Sequence, residues 1–582
     1  MRRRAEAFAK EWIDVQRSSF RRLGVLGEWD QPYLTLSPGY EADVIRTFAT
    51  MVEKGLVYQS KKPVSWSWGA KTALAEAEVE YKDVTDTAIF VKFPIEEGHL
   101  AGESSLVIWT TTPWTLPANL GVAVHPDFPY QRGTFVHEDG RKEDLVIART
   151  LVEAFGEKTG FHLEEEGVEE WKGRDFAGAK CRHPFLDRQS LVVTGMFVED
   201  GTGTGAVHLA PGHGAIDFVA GLEAGLEVLS PVDDDGKYTE EVGLEELVGQ
   251  HVLKANSRVV ELVDEQGALL GKEDYHHSYP HCWRSKTPII FRAVEQFFIR
   301  IDELRDLALK EIDDVEWLPP RGRNRIYGTV EARPDWCISR QRTWGVPLPL
   351  FVTDEGPQLD AEIARKVAAV IEEHGTNVWF EWDDEQWIKE LDLPAGSKRC
   401  TDTLDVWIDS GSSHVAVMDR HEDLSCPADL YLEATDQHRG WFQSSLMLSV
   451  AVRGKAPYRR VLTHGFVVDQ ETGKKVSKSD QKGGDGKKKK KKKPMEASHY
   501  YDTYGADIVR LWVSSVDWQN DVPFGEELFQ QLREPYRRFR NSLRILVANL
   551  QGYERSAEEL PMEELTLMDR WILQRLNQVI KA

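Results

Sequence analysis

The sequence predicts an α/β protein of several domains. At 582 residues the chain exceeds what one hydrophobic core organises, so three or four domains are expected, and 41% apolar residues are enough to build them. Residues 89–290 hold short β-rich runs (88–93, 106–111, 191–198) separated by glycine-containing breaks and a few helical patterns, as in a compact α+β domain. Residues 401–515 alternate strand and helix patterns, as in a doubly wound sheet.

The elements follow in chain order. Residues 1–88 mix helical patterns with turns such as Ser37-Pro38-Gly39. Ala5, Phe8, Ala9, Trp12, Val15 and Phe20 fall near helical spacing, so the first segment reads as an amphipathic helix. It lacks an N-cap of its own and reads as a helix entered partway along. Its basic start is no transit peptide, because Glu6, Glu11 and Asp14 follow and no apolar stretch succeeds them. Residues 291–350 contain Trp336, Trp344 and the basic stretch Arg321 to Arg325. Residues 351–400 are acidic and read as a peripheral insertion. From about 516 onward the pattern is helical and charged. Between Asp480 and Pro494 the chain reads DQKGGDGKKKKKKKP, which cannot bury apolar surface. That run is either an inert solvated insertion or an arm that contacts nucleic-acid phosphates.

Bulk composition narrows the function classes. A formal charge of -24 argues against a protein that simply coats nucleic acid, although local basic patches leave RNA recognition open. The five cysteines are an odd number with no CxxC, which disfavours a disulfide framework and favours the cytosol. No apolar run reaches membrane-spanning length. Nineteen Trp supply packing mass and recognition surface.

Three strings carry chemistry. GKKVSKSD, Gly473 to Asp480, sets two lysines three apart among small hydroxyl residues, between a β-like run and a helix opening. Such a loop places ammonium groups on a triphosphate and stabilises charge that develops during attack on phosphorus. Alone, it is also an ordinary basic surface loop. VIWTTTPWTLPAN gathers Thr110, Thr111 and Thr112 with Asn119 beyond, which alone reads as a plain strand. GTGTGAVHLAPGHGAIDF supplies His208, His213 and Asp217 after a glycine-rich run.

With these strings in view, the chain resembles the isoleucyl enzymes among the class I aminoacyl-tRNA synthetases. The loop is similar to the family's KMSKS signature, with Val476 in place of Met. RPDWCISRQRTWGVP (333–347), DVWIDSGSSH (405–414), YLEATDQHRGWFQSSL (431–446) and HSYPHCWRSKTPIIFR (277–292) extend the resemblance, which falters at 351–400 and the lysine run. It implies a Rossmann-type catalytic domain in two parts, 1–88 and 291–515. An editing domain, α+β and barrel-like, would be inserted at 89–290, and a helical anticodon-binding bundle would begin at 516–582. It implies that Glu433 meets the amino group of the adenylate, as suits a carboxylate. Asp436 and Gln437 would bind polar parts of the adenylate, and Trp407 and Trp441 would line the isoleucine pocket. Lys475, Lys478 and Ser477 would contact ATP, which enters as a substrate with Mg2+. A solvated Glu and core Trp residues are the bland alternatives. Thr110, Thr111, Thr112, Asn119, His208 and Asp217 would form a pocket that hydrolyses misacylated Val-tRNA through a positioned water. Asp217 would hold the free α-amino group. One methylene separates valine from isoleucine and is worth only about 1–3 kcal/mol, the handicap for which this very pair is the standard illustration. The implied partners are tRNA(Ile), isoleucine and ATP, with no membrane, a monomeric state and a cytoplasmic location.

The chain departs from the family pattern in four places. No His-Ile-Gly-His-like tetrapeptide occurs, which predicts impaired formation of isoleucyl-adenylate and a start that falls inside a longer protein. Many relatives carry CxxC after Lys-Pro-Val-x-Trp and further thiols near Cys-Trp-Arg; here Ser67, Ala70 and Ser285 occupy those positions. Cys282 remains, with His276, His277 and His281 nearby, but a closed zinc site wants four ligands, so the relatives' zinc site is expected to be absent. The lysine run lengthens the loop after Ser479, and the chain stops within the helical bundle. Three functions compete: an isoleucine–tRNA ligase with editing, a Val-tRNA deacylase alone, and a non-catalytic tRNA-binding remnant.

Overall fold

The computed structural model describes residues 1–471, 473–476, 496–554 and 560–582. The chain divides into two compact units: Met1–Phe8 with Tyr33–Thr463, and Ala9–Pro32 with His464–Ala582.

In the first unit, the strand Val57–Ser67 runs antiparallel to Ile290–Ile299, from Val57 opposite Ile299 to Trp66 opposite Ile290. Short strands at Thr72–Ala73 and Trp336–Cys337 complete a four-stranded sheet. The chain between these partners builds an eleven-stranded sheet around the 19-residue strand Val79–Glu97. Leu269–Cys282 pairs along nearly its whole length, from Leu269 opposite Val91 to Cys282 opposite Val79. Ile89, Phe90 and Val91 are consecutive and fully buried, so both faces of this strand are covered. Phe90 and Phe135 each meet Phe155 edge-on, at 5.5 and 5.8 Å, in that core.

The strands Glu316–Leu318, Arg460–His464 and Tyr431–Ala434 form a three-stranded sheet in that order, the first two parallel. The buried helix Trp441–Arg453 belongs to the same core, as do the helices Asp302–Asp313 and Arg321–Glu331. Residues 351–400 carry three short strands and the helices Ala361–His374, Asn377–Glu381 and Asp384–Leu391. Asp360 caps the first of these helices by accepting from Glu362 N at 2.7 Å. Trp379 and Trp387 are fully buried there, in one core with Val44, Ile45 and Phe48 of the helix Pro38–Glu53. The segment read as peripheral therefore shares its apolar interior with the rest of the unit.

The second unit has its own small core of Tyr500, Ile508, Val509, Trp512, Val522 and Phe529. Val467–Asp469 and Val522–Phe524 pair in parallel beside the helices Ala497–Tyr504, Ala506–Ser515 and Glu526–Asn549. Only Phe529 is buried on the last of these, while Phe539, Leu543 and Leu546 are exposed. The helix expected at the start spans Arg2–Leu23 and buries no residue. Among the described residues, no helix is long and apolar enough to cross a membrane.

Candidate functional site

A cavity of about 370 Å³ opens within the strand-rich part of the first unit. The strand Ser105–Thr110 delivers Thr110 to it and breaks at Thr111-Thr112-Pro113, where proline opens the 3-10 helix Pro113–Ala118. Thr110 Oγ1 accepts from Thr112 N at 3.1 Å, and Thr115 donates its hydroxyl to Thr112 O at 2.8 Å, so local polar bonds tie the turn. The opposite wall is the glycine-rich run. Gly205 has φ +77°, and a Cβ there would stand 2.3 Å from Ala148 Cβ. The strand Ala206–Leu209 then brings His208 in, opposite Val122. A Cβ at Gly212 would stand 2.0 Å from Leu229 O, so the next turn also needs glycine. Asp217 follows in the first turn of the helix Ala215–Glu223.

This cavity joins five of the six residues expected there: Thr110, Thr111, Thr112, His208 and Asp217, with His213 added. Asn119 does not line it. It is fully buried, donates Nδ2 to Gly121 O at 2.8 Å and accepts from Ser190 Oγ at 2.5 Å, which makes it a strut between strands. Sequence reasoning missed Trp109, Thr115, Phe197 and Glu199. Thr115 had a readable signal, three residues after Thr112 across a proline; the others had none.

Burial sets the electrostatics. It raises the Asp217 carboxyl to about 6, against a bond donated by Ala210 N at 2.9 Å. It lowers His208 and His213 to about 4 each, so both rings are neutral at neutral pH. His208 Nε2 stands 3.0 Å from Thr115 Oγ1, and His213 Nδ1 stands 2.8 Å from Phe291 O. The wall thus offers two carboxylates, Asp217 and the exposed Glu199, with hydroxyls and neutral rings, and no lysine or arginine among the described residues lines it. Such a cavity accepts a small ligand with a cationic group and can orient water against it.

A second constellation gathers at the turn after the strand Tyr431–Ala434. Glu433 is exposed there and accepts from Ala434 N at 2.7 Å. Gln437 Oε1 accepts from Trp441 N at 3.1 Å, which caps the helix Trp441–Arg453. A Cβ at Gly440 would stand 2.6 Å from Gln437 Oε1 and 2.8 Å from the Trp407 ring, so glycine lets the three meet. Trp441 stacks on Tyr431 at 4.1 Å and donates Nε1 to Ser410 O at 2.9 Å. Behind Trp407, the buried Asp405 accepts from Trp336 Nε1 and Arg340 Nη2, each at 2.8 Å, and from Trp407 N at 3.1 Å. This bridge joins the motifs 333–347 and 405–414 and was invisible in the sequence. Asp436 is exposed on the same turn.

A family model described as tRNA synthetases class I (I, L, M and V) matches residues 1–525. The chain belongs to this family. Over the whole chain it is 49% identical to an isoleucine–tRNA ligase of Methylacidiphilum infernorum (isolate V4), covering 62% of that protein. It is 45% identical to the isoleucine–tRNA ligase of Thermotoga petrophila, again over the whole chain and 62% of the relative. A Bacillus cereus (strain AH187) isoleucine–tRNA ligase is 46% identical over 98% of the chain and 61% of the relative. The chain thus spans about three fifths of the length of the curated relatives it matches.

Lys475, in the second unit, pairs with Val468 in an isolated bridge and sets its ammonium 3.9 Å from the Phe466 ring centre. Ser477, Lys478 and the lysine run lie outside the described residues. At the positions named for zinc, His276 bonds Thr85 at 2.6 Å, His277 bonds Asp86 at 2.9 Å and His281 bonds Tyr279 O at 3.0 Å. Among the described residues, no group of three or more His, Cys, Asp or Glu side chains could hold a metal ion.

Proposed function

We propose that this chain is the greater part of an isoleucine–tRNA ligase, and that its cavity hydrolyses valine from misacylated tRNA(Ile). The observation that carries this reading is the convergence of Asp217, His208 and the threonines on one small cavity lined, among the described residues, by carboxylates and by no cation. Asp217 pairs with the α-ammonium of the bound aminoacyl ester. The threonine hydroxyls and the neutral His208 orient a water toward the ester carbonyl. Attack breaks the bond to the ribose oxygen, which leaves with a proton, and the free amino acid departs. On this reading the discrimination between valine and isoleucine turns on the one methylene that separates them.

On the same reading, Glu433, Asp436 and Gln437 contact isoleucyl-adenylate, Trp407 and Trp441 flank the isoleucine side chain, and Lys475, Ser477 and Lys478 contact ATP carried with Mg2+. The full reaction joins isoleucine to tRNA(Ile) in a cytoplasmic, monomeric enzyme. The alternative is a chain that works only as a Val-tRNA deacylase or as a non-catalytic tRNA-binding remnant.

The test is release of labelled valine from Val-tRNA(Ile) by the 582-residue chain, with Ile-tRNA(Ile) as control. Selective release of valine is expected, and Asp217→Ala should reduce it about 100-fold or more, the scale of losing one electrostatic anchor of a reacting group. Equal rates for wild type and variant overturn the assignment.

A further inference from the structure

The segment that carries the cavity leaves the four-stranded sheet after Ala73, just past the 67–70 turn that joins Val57–Ser67 to Thr72–Ala73, and returns to it at Ile290. Two turns meet where it leaves and returns, 67–70 and 282–287. Both positions of the first turn and one of the second are where relatives carry thiols. In this chain those places hold Ser67, Ala70 and Ser285, and only Cys282 keeps sulfur.

The contents of this junction are bonded to each other. Ser67 Oγ stands 3.2 Å from Ser285 Oγ, and Ser285 Oγ stands 2.8 Å from Thr287 Oγ1. Ala70 N donates to Ser67 Oγ at 3.1 Å, and Ser285 N donates to Cys282 Sγ at 3.5 Å. A Cβ at Gly69 would stand 2.9 Å from Thr287 Oγ1, so the two turns press directly together. Ser67 and Cys282 are fully buried, and Cys282 packs with Leu74, Ile289 and Val79 in a small apolar cluster.

This chemistry suits a hydrogen-bonded clasp and not a metal. Four thiolates on one zinc stand about 3.8 Å apart around a central cation. Here the Ser67 and Ser285 hydroxyls bond each other, Ala70 offers no donor atom, and neutral hydroxyls are poor zinc ligands. The remaining thiol is buried and takes the bond from Ser285 N.

We infer that the base of the cavity-bearing segment is locked without metal, by a hydroxyl network closed around Cys282 that replaces the four-thiolate zinc clasp of relatives. The lock ties the outgoing strand to the returning one at a single point. Unlike a zinc clasp, it needs neither metal supply nor deprotonated thiols.

The experiment uses the 582-residue chain purified without chelator. Elemental analysis is expected to find zinc well below one ion per chain, and dialysis against EDTA should leave the thermal midpoint unchanged. One zinc per chain whose removal lowers the midpoint overturns the inference. A second arm tests the geometry. The triple variant Ser67→Cys, Ala70→Cys, Ser285→Cys should bind one cobalt ion with thiolate-to-metal charge-transfer bands, while the wild-type chain shows none. A variant without those bands overturns the convergence of the four positions. In a third arm, Ser285→Ala should speed hydrogen exchange of residues 67–74 and 282–289, and unchanged protection there overturns the role given to the hydroxyls.

Discussion

The cavity at Thr110–Asp217 and the turn at Glu433–Trp441 solve opposite problems in one unit. The cavity is walled by backbone that only glycine permits at Gly205 and Gly212, and it buries three ionisable groups, His208, His213 and Asp217. Its groups therefore titrate far from their ordinary values, and its chemistry is set by desolvation. The turn leaves Glu433 and Asp436 in solvent and puts its buried charges one layer back, in Asp405 and Arg340. Its precision comes from struts behind the face, so the two regions should fail in different ways when altered.

The largest effect should come from the strut. Arg340 and Asp405 are almost wholly buried and pair at 2.8 Å. Arg340→Met removes the ion partner of Asp405 and leaves it only the Trp336 and Trp407 N–H groups, which is expected to cost about 3–5 kcal/mol in unfolding free energy measured by denaturant titration. A loss below about 1 kcal/mol would mean that the turn does not lean on this pair, and the contrast between the regions would lapse.

Next in size is the glycine wall. Gly205→Ala adds a methyl 2.3 Å from Ala148 Cβ at φ +77°. Strain and overpacking together should cost about 2–4 kcal/mol. Valine release should fall with it, while affinity for an isoleucyl-adenylate analogue at the Glu433 turn should not. Parallel loss of both activities would erase the distinction between a backbone-built site and a strut-built one.

Much of this contrast was legible in the sequence, and the division follows the range of the interactions. The run 88–93 reads as a strand because its β-branched and aromatic residues follow one another, a local property, and it lies within the strand Val79–Glu97. Thr110, His208 and Asp217 were readable as a set through family resemblance. The Arg340–Asp405 pair was not, because 65 residues separate its members and nothing in either motif names the other. Asn119 misled for the converse reason: it stands beside the threonine string in sequence, yet its side chain turns to Gly121 and Ser190. The peripheral reading of 351–400 rested on its acidity, which describes its surface and not Trp379 and Trp387 beneath.

Asp217 supplies a smaller effect with a defined sign. Its carboxyl titrates near 6, above its ordinary value, so ionisation costs the folded state. That cost is absent below about pH 4, grows as pH rises, and is complete above about pH 6. Asp217→Asn should therefore stabilise the chain by roughly 1–3 kcal/mol at pH 8 and by nothing at pH 4. Valine release by the unaltered chain should fall as pH drops through 6, because the ammonium loses its partner. His208 and His213 act in the opposite sense: both are held neutral to about 4, so their contribution is lost as pH falls from about 6.5 toward 4. A release profile that is flat between pH 7 and 5 would remove Asp217 from the ammonium site.

The smallest predicted effect isolates one proton. Thr115 has a single hydroxyl hydrogen and two close partners, Thr112 O at 2.8 Å and His208 Nε2 at 3.0 Å. A carbonyl cannot donate, and two oxygens 2.8 Å apart with no proton between them repel. The hydroxyl therefore donates to Thr112 O and accepts from His208 Nε2–H. This fixes the neutral ring with its proton on Nε2 and leaves Nδ1 as a bare acceptor, without a partner among the described residues. Thr115→Val keeps the shape but strands Nε2–H, at a cost of about 1–2 kcal/mol. It should also shift the ring toward the other tautomer, readable in its nitrogen NMR shifts, while Thr115→Ser restores both stability and tautomer. A valine variant with unchanged nitrogen shifts would show that the cavity holds His208 by packing alone, as the turn at Glu433 holds Trp441 against Tyr431.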